Sequence, residues 1–540
     1  MTTDFDVCIV GAGPVGLTLA LELSRRGVRS VLVERDLTPG PWPKMERCNA
    51  RSMEIFRRLG LAETIRVAAQ PPDGSMDIAI VTNLCDPPLA VLEYPTVREM
   101  RERIAECSDG SLPLEPYQVV SQYTLEPILR AAVARCANVT TRYGVAAESF
   151  EDQQDRTELR VRGPDGPAII AARYLVGCDG GSSTIRKQLE IKLEGRGNIN
   201  KLRQVFFRSP DLFRKTGVCR ARHYWFADPH GSVFIVQDDG VHFTLHSRLP
   251  READFAAAIR SLAGCDIEVE VLHVNEWTLH LLVAESYGRG RVFIAGDAAH
   301  LVIPAGGLGM NTGVGDAVDL AWKLAGAVQG WGGPALLASY EIERKSVGRR
   351  NRDAAGFATA GLLIWRSAFR PNIREDSVDG AATRAEVSRL ANVAQRRAHE
   401  MAGVELGYTY AASPLVCAEP GPNHESDYFH YIPSASPGSR LPHAWLSDGR
   451  AIQDVVGIGY TLLDFGSHGD TKSLQVAMHE LGAPLDVVRL DEPQAHRVCG
   501  RRLVLLRPDA HVAWRGDELP ANCAPIARVV TGNVTEVVNV

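Results

Sequence analysis

An acid at the end of an apolar strand, followed by a run of glycines that opens a helix, can hold a planar ligand with a polyhydroxylated tail. In RVFIAGDAAHLVIPAGGLGMNTGVGD (291–316) the apolar residues Val292 to Ala295 stop at Gly296. That stop lets Asp297 project beside Ala298, where its carboxylate accepts hydroxyl hydrogens from a polyol. Farther on, Gly306, Gly307, Gly309 and Gly313 remove side chains where a flat ligand must approach the backbone. The helix that follows aims its amide N–H groups and positive dipole end at that ligand, stabilising negative charge that develops there. These residues read as a site for a flavin ring. The plainer reading, a glycine-rich turn that only shapes the chain, leaves the acid and the many glycines without a purpose.

The partner signal lies at the N-terminus. FDVCIVGAGPVGLTLALELSRRGVRSVLVERD (5–36) reads as strand, G-x-G-x-x-G turn, helix and strand. Gly11 permits the tight turn, Gly13 lets the main chain reach a pyrophosphate across Pro14 and Val15, and Gly16 allows close helix–sheet packing. Val15, Leu19, Ala20 and Leu23 give the helix a sheet-facing stripe, and Gly27 stops it. Glu34 ends the second strand, next to Arg35. An acid there accepts both ribose hydroxyls and repels a 2′-phosphate, which favours FAD or NAD over NADP at this position.

A third segment, AARYLVGCDGGSSTIRKQL (171–189), brings Asp179 and Gly180 to a turn after a strand, with Ser183 and Arg186 entering a helix. Alone it is compatible with an ordinary helix cap and a surface ion pair. In order and spacing, the three segments resemble the fingerprint, D-G and G-D motifs of the single-component flavoprotein aromatic hydroxylases. That is the class A FAD monooxygenase family of p-hydroxybenzoate hydroxylase and the phenol hydroxylases. The resemblance covers residues 4–400 through these motifs and is much more specific for fold and FAD than for substrate.

Length and composition agree with an enzyme of several units. At 540 residues the chain exceeds a single core. Hydrophobic residues at 45% and charged residues at 23% are those of a soluble globular protein, and the net charge of −6 argues against a nucleic-acid surface. No run of about 18 apolar residues and no leader-like segment stands out, so neither membrane span nor secretion is expected, and the cytoplasm is. Eleven cysteines are scattered without a C-x-x-C pair, which argues against zinc ribbons and thioredoxin-type redox chemistry; no metal is expected.

Those motifs must be positioned by a discontinuous, Rossmann-like (GR2-type) α/β domain, expected over 1–74, 101–188 and 277–400. Between Asp179 and Asp297, stretches such as RARHYWFA, GSVFIVQ, VHFTLHSR and DIEVEVLHVNEWTL alternate as antiparallel strands. With residues 75–100, residues 189–276 are expected to form an inserted α+β substrate domain whose sheet lies over the flavin. Residues 314–330 and 338–350 look helical. Beyond residue 400, proline and glycine become frequent. The unit 401–540, with GYTLLDFG, LDVVRL and RRLVLLRPDAHVAWRG, resembles the thioredoxin-like C-terminal domain of many phenol hydroxylases. Without C-x-x-C its expected role is accessory or dimer-stabilising.

The resemblance implies the chemistry. NAD(P)H transiently reduces a tightly but non-covalently bound FAD, oxygen is captured as a C4a-hydroperoxyflavin, and one oxygen atom is transferred to a phenolic or polycyclic aromatic ring. The protein holds the ring, excludes water and makes the ring electron-rich. The expected partners are a small aromatic substrate, O2 and NAD(P)H, in a homodimer. Asp297 is expected at the ribityl chain and the amides of Gly309, Met310 and Asn311 at the flavin pyrimidine edge. Pro304 matches the family proline at the reactive face, its free carbonyl available to orient substrate. Gln122, Arg51 and neighbouring Arg47 match cofactor-contacting positions; each also suits an ordinary polar or ion-pair role. Leu308 stands where relatives often carry Gln or Lys and suggests a dry flavin edge, while Gly315 and Asp319 also depart from the usual pattern. For substrate activation, Tyr117, Tyr224, His242 and His246 are candidates, with 242, 244 and 246 on one strand face by period-two alternation. Two other readings stay open: a Baeyer–Villiger-type or ring-opening oxygenase of this fold, and a non-catalytic FAD-binding protein. A flavin halogenase is disfavoured because W-x-W-x-I-P is absent.

Overall fold

The computed structural model describes residues 4–420, 426–466 and 470–534. Phe5–Val10 is buried on both faces from Asp6 onward, the mark of an inner parallel strand. It is central to a parallel order of Val139–Tyr143, Ser30–Glu34, Phe5–Val10, Gly166–Gly177 and Val292–Ile294. Ala146–Asp152 and Thr157–Gly163 extend this sheet as an antiparallel meander.

Register explains how three dispersed motifs meet. Val10 pairs with Gly177, and Gly177 with Ile294, so the residues after each strand emerge side by side at the carboxyl edge. Ligands of open parallel sheets bind at that edge. Two helices, Pro14–Arg25 and Leu308–Gln329, belong to the same apolar core as the sheet. Gly16 is obligatory for the first, since a Cβ there would lie 2.0 Å from the Gly11 carbonyl oxygen. The second is followed by the helix Pro334–Arg366, which runs well beyond the 338–350 stretch expected to be helical.

The inserted sheet has the order His300–Leu301, Glu270–Ala284, Leu193–Arg208, His242–Ser247, Val233–Val236, His223–Phe226, Ile78–Val81 and Ala90–Leu92. Glu270–Ala284 pairs with Leu193–Arg208 along its whole length and runs through residue 276, so the expected boundary at 276/277 falls inside a strand. One face packs Val205, Phe207, Tyr224, Phe234 and Phe243 on the helix Phe255–Ala263. The other face lies over the carboxyl edge of the parallel sheet.

In the C-terminal unit, Tyr460–Asp464 and Leu485–Arg489 are parallel neighbours, while Leu503–Leu506 and Val512–Gly516 add antiparallel strands. With helices Lys472–Glu480, Pro493–Cys499 and Ala524–Val530 this is the βαβαββα order of a thioredoxin-like fold. All eleven cysteines are free thiols. Among the described residues, no helix is long and apolar enough to cross a membrane.

Candidate active site

A single cavity of about 1020 Å³ runs from the fingerprint turn, past Asp297 and Pro304, to the inner face of the inserted sheet. At the fingerprint end, Gly11 is glycine for the protein's sake: its φ is +105° and a Cβ would lie 2.4 Å from the Cys178 carbonyl oxygen. Gly13 differs. Its φ is −75° and a Cβ would meet no protein atom within 4 Å, so the missing side chain leaves room for a ligand at the helix N-terminus. Glu34 lines the cavity while its carboxylate accepts from the Ala12 and Asp36 amides at 2.7 and 2.9 Å, which fixes its orientation. Arg35 and Gln122 also line the cavity, and the Gln122 side chain donates to Glu126.

Asp179 caps the helix Thr184–Gln188 through one oxygen, 2.7 Å from the Thr184 amide, while its other oxygen, Oδ1, is buried without a partner. Asp179 and Gly180 both line the cavity. Asp297 is exposed into the cavity, and burial by the surrounding protein raises its carboxyl pKa against the pull of His300 and Lys44. Behind it, Asp316 accepts from the Gly296 amide at 3.0 Å and pairs with His300 at 2.8 Å and Arg344 at 2.8 Å. Gly306 and Gly307, at φ +87° and +64°, turn the chain into the helix Leu308–Gln329 so that Gly307, Gly309, Met310 and Asn311 line the cavity. A glycine with space for a ligand, an orphaned acid oxygen and an exposed strand-end acid fit FAD. Gly13 and Glu34 would hold its adenosine diphosphate, Asp297 its ribityl chain, and the Gly309–Asn311 amides its ring.

The other half of the cavity is built by cross-strand register. Trp225, Val233, His246 and Gln204 form one row of partners across four strands, and His223, Ile235 and Thr244 form the next. All of them line the cavity, as does Trp277, whose indole meets the His246 ring edge-on at 5.6 Å. Burial holds the His246 pKa at about 4, so its ring is neutral. On the same cavity wall, the half-buried Glu46 accepts a hydrogen bond from His223 Nε2 at 2.5 Å. Burial alone would raise the Glu46 pKa. His223, Arg222 and Arg47 outweigh it and hold the acid at about 2. Burial, aided by Arg222, lowers the His223 pKa against the pull of the Glu46 carboxylate.

Several expected residues are placed elsewhere. Tyr224 alternates to the far side of its strand, where its hydroxyl donates to the Cys219 carbonyl at 2.7 Å in the apolar core. His242 is off the cavity wall, paired with Asp239 at 2.5 Å. Tyr117 lies beneath the Arg47 and Arg222 guanidiniums, off the cavity wall. Arg51 turns away, pairing with Glu54 and donating to the Asp509 carbonyl at 3.0 Å. Arg47 does line the cavity and donates to the Gly306 carbonyl. Leu308 is buried among Ala354, Ala358, Met401 and Val404, so it forms no flavin edge. Arg186 ties the D-G turn to the strand end by donating to the Gly181 and Ala298 carbonyls at 3.0 and 3.1 Å, and reaches no ligand space. Pro304 lines the cavity, but its carbonyl already accepts from the Gly307 amide at 2.8 Å.

Comparison with known proteins gives concordant matches. Residues 4–355 match the FAD binding domain family model, and 434–532 match the aromatic-ring hydroxylase C-terminal model. The chain is 34% identical to the FAD-dependent monooxygenase apdD of Emericella nidulans, covering 95% of this chain and 88% of that protein. It is 30% identical to aklavinone 12-hydroxylase RdmE of Streptomyces purpurascens, covering 96% and 97%. Among solved structures, chromopyrrolic acid-soaked RebC with bound 7-carboxy-K252c aligns at a TM-score of 0.90 and 34% identity, covering 99% of this chain and all of that one.

Proposed function

The chain belongs to the flavoprotein aromatic hydroxylases, and from that premise we propose that this FAD-dependent monooxygenase hydroxylates a multi-ring aromatic compound bearing a hydroxyl group, at the expense of NAD(P)H. One observation carries the reading: the space fitted to FAD and the aromatic-walled space over it form one cavity, with Pro304 and Glu46 both on its wall. The width of the sheet face suits more than one ring, because Trp225, Val233, His246 and Gln204 span four strands at about 4.8 Å each.

Bound FAD would accept hydride from NAD(P)H and activate O2, one atom of which goes to the ring while the other leaves as water. The chain's own residues do the rest. Trp225, Trp277, Ile235 and Val233 bury the ring system and exclude water, which protects the reactive cofactor from wasteful release of hydrogen peroxide. Glu46, ionised and able only to accept, takes a hydrogen bond from the substrate hydroxyl and pushes electron density into the ring. His223 fixes that carboxylate by donating from Nε2. We place the enzyme in a reducing cytoplasm, where eleven free thiols persist, and as a homodimer.

The test is a panel of mono- and polycyclic phenols, scored together for stimulated NAD(P)H consumption and for hydroxylated product carrying labelled oxygen from O2. Product from polycyclic members with one labelled oxygen and an intact aromatic spectrum supports the reading. Ring-opened or ester products overturn it, and consumption that yields only peroxide marks the compound as an effector.

A further inference from the structure

The C-terminal unit reaches into the cofactor domain through one turn. Residues Arg507–His511 join the strands Leu503–Leu506 and Val512–Gly516, with Ala510 held at a left-handed φ of +64°. Arg507 is wholly buried, and its guanidinium binds Glu343 at 2.7 and 2.8 Å, Asp319 at 3.0 Å and Asp509 at 2.7 Å. Asp319 lies on the helix that opens at the flavin-side glycines, and Glu343 on the helix after it. Lys323 completes the cluster, 2.7 Å from Asp319 and 2.6 Å from Glu343. The turn's carbonyls are gripped in return: Arg58 donates to Pro508 and Arg51 to Asp509.

Charge balance in this cluster requires both units. Burial pushes the Asp319 carboxyl far above its ordinary range despite Lys323 and Arg507, whereas those two cations overcome burial at Glu343 and hold it low. Lys323 and Arg507 thus face the three acids Asp319, Glu343 and Asp509. Without Arg507 the cluster is left with an unbalanced buried charge, which is costly.

The same helices hold the cofactor site. Arg344, next to Glu343, binds Asp316, the Thr312 carbonyl at 2.9 Å and the Tyr410 hydroxyl at 2.8 Å. Asp316 in turn holds the Gly296 amide and His300, immediately around Asp297. Tyr410 lies beneath the Arg507 guanidinium, 4.8 Å from its ring centre, and against the His511 ring at 4.4 Å. We propose that Arg507 is a positioning residue for the cofactor site, through which the C-terminal unit fixes the helix Leu308–Gln329 and the Asp297 strand end. That unit is therefore a working part of FAD binding, beyond the accessory role its sequence suggests.

The full-length protein tests this with Arg507→Lys and Arg507→Met, reading the FAD Kd of the reconstituted apoprotein, the flavin midpoint potential and the melting temperature. Both variants are expected to weaken FAD binding about tenfold and to shift the flavin potential. Folded Arg507 variants with a lowered melting temperature but wild-type FAD Kd and potential would show a purely structural role and overturn the proposal. If neither Arg507 variant folds, Tyr410→Phe, which removes only the hydroxyl held by Arg344, carries the test: unchanged FAD Kd and potential overturn it. FAD affinity is read without any substrate, so the outcome is independent of the hydroxylation assay.

Discussion

Replacing Glu46 by glutamine removes a single negative charge from the cavity wall and keeps nearly the same shape. Holding this acid at about 2 in place of its ordinary 4.5 corresponds to roughly 3 kcal/mol in favour of the carboxylate, contributed by His223, Arg222 and Arg47 against burial. A hydrogen bond from a substrate hydroxyl to a charged acceptor contributes about 1.5–3 kcal/mol more than none. The expected result for Glu46→Gln is thus a fall in kcat/KM for hydroxylation of about 10- to 150-fold, with a larger share of NAD(P)H ending as peroxide. FAD affinity should stay within about twofold, since the fitted cofactor contacts lie elsewhere. His223→Leu gives the complementary reading. Without its donor, burial gains on the remaining Arg222 and Arg47, and the Glu46 pKa rises; His246 and His399, both neutral, do not restore it. A group with a depressed pKa is ionised across the working range, so wild-type kcat/KM shows no Glu46 limb above about pH 4. The His223→Leu profile should gain one, with activity lost as the pH falls through the raised pKa, while His223→Gln, which retains a donor, should keep the flat profile. Wild-type kcat/KM in Glu46→Gln, or a His223→Leu profile with no new acid limb, refutes the assignment.

The two fingerprint glycines should separate: Gly11→Ala meets both a left-handed φ and the Cys178 carbonyl and should cost about 3 kcal/mol or more in chemical denaturation of the apoprotein, whereas Gly13→Ala should leave apoprotein stability within about 0.5 kcal/mol and abolish FAD uptake. Asp297→Asn should raise the FAD Kd by about 10- to 100-fold by loss of a charged acceptor, measured by fluorescence quenching on reconstitution. Burial holds the His511 pKa at about 4 against an unfolded value of 6.5, so the unfolded chain takes up the proton first. Stability present above about pH 6.5 should drain between pH 6.5 and 4, by up to about 3 kcal/mol from this residue, and His511→Gln should show a shallower loss in urea titrations at pH 7 and 5.

Legibility followed locality. The three cofactor motifs each carry their strand, turn and helix in one contiguous stretch, and parallel register alone then brings Gly13, Asp179 and Asp297 together. Face assignments were the weak step. In HYWF (223–226) the sequence offers four aromatic or imidazole side chains in a row, and a shift of one residue exchanges Tyr224 for His223 and Trp225. Valine and isoleucine at 233 and 235, opposite Trp225 and His223, carry the parity that would have settled it. Glu46 and His223 stand 177 residues apart with no motif to join them, and only the fold creates the pair. For Arg51 the sequence offered a cofactor contact or an ordinary ion pair, and its partner carbonyl at Asp509 belongs to a distant unit. Leu308 shows the same limit: a positive-φ glycine pair redirects the chain, and composition alone does not show which way the next side chain turns.

The account rests on one cavity that seats FAD and an aromatic substrate together. A crystal structure of the holoenzyme with a turned-over polycyclic phenol tests it most directly. The ring system should lie between the Pro304 loop and the face of Trp225, His246 and Trp277, with its hydroxyl on Glu46 and the FAD ribityl chain on Asp297. A substrate bound outside this cavity, or one that displaces the flavin from it, would contradict the account.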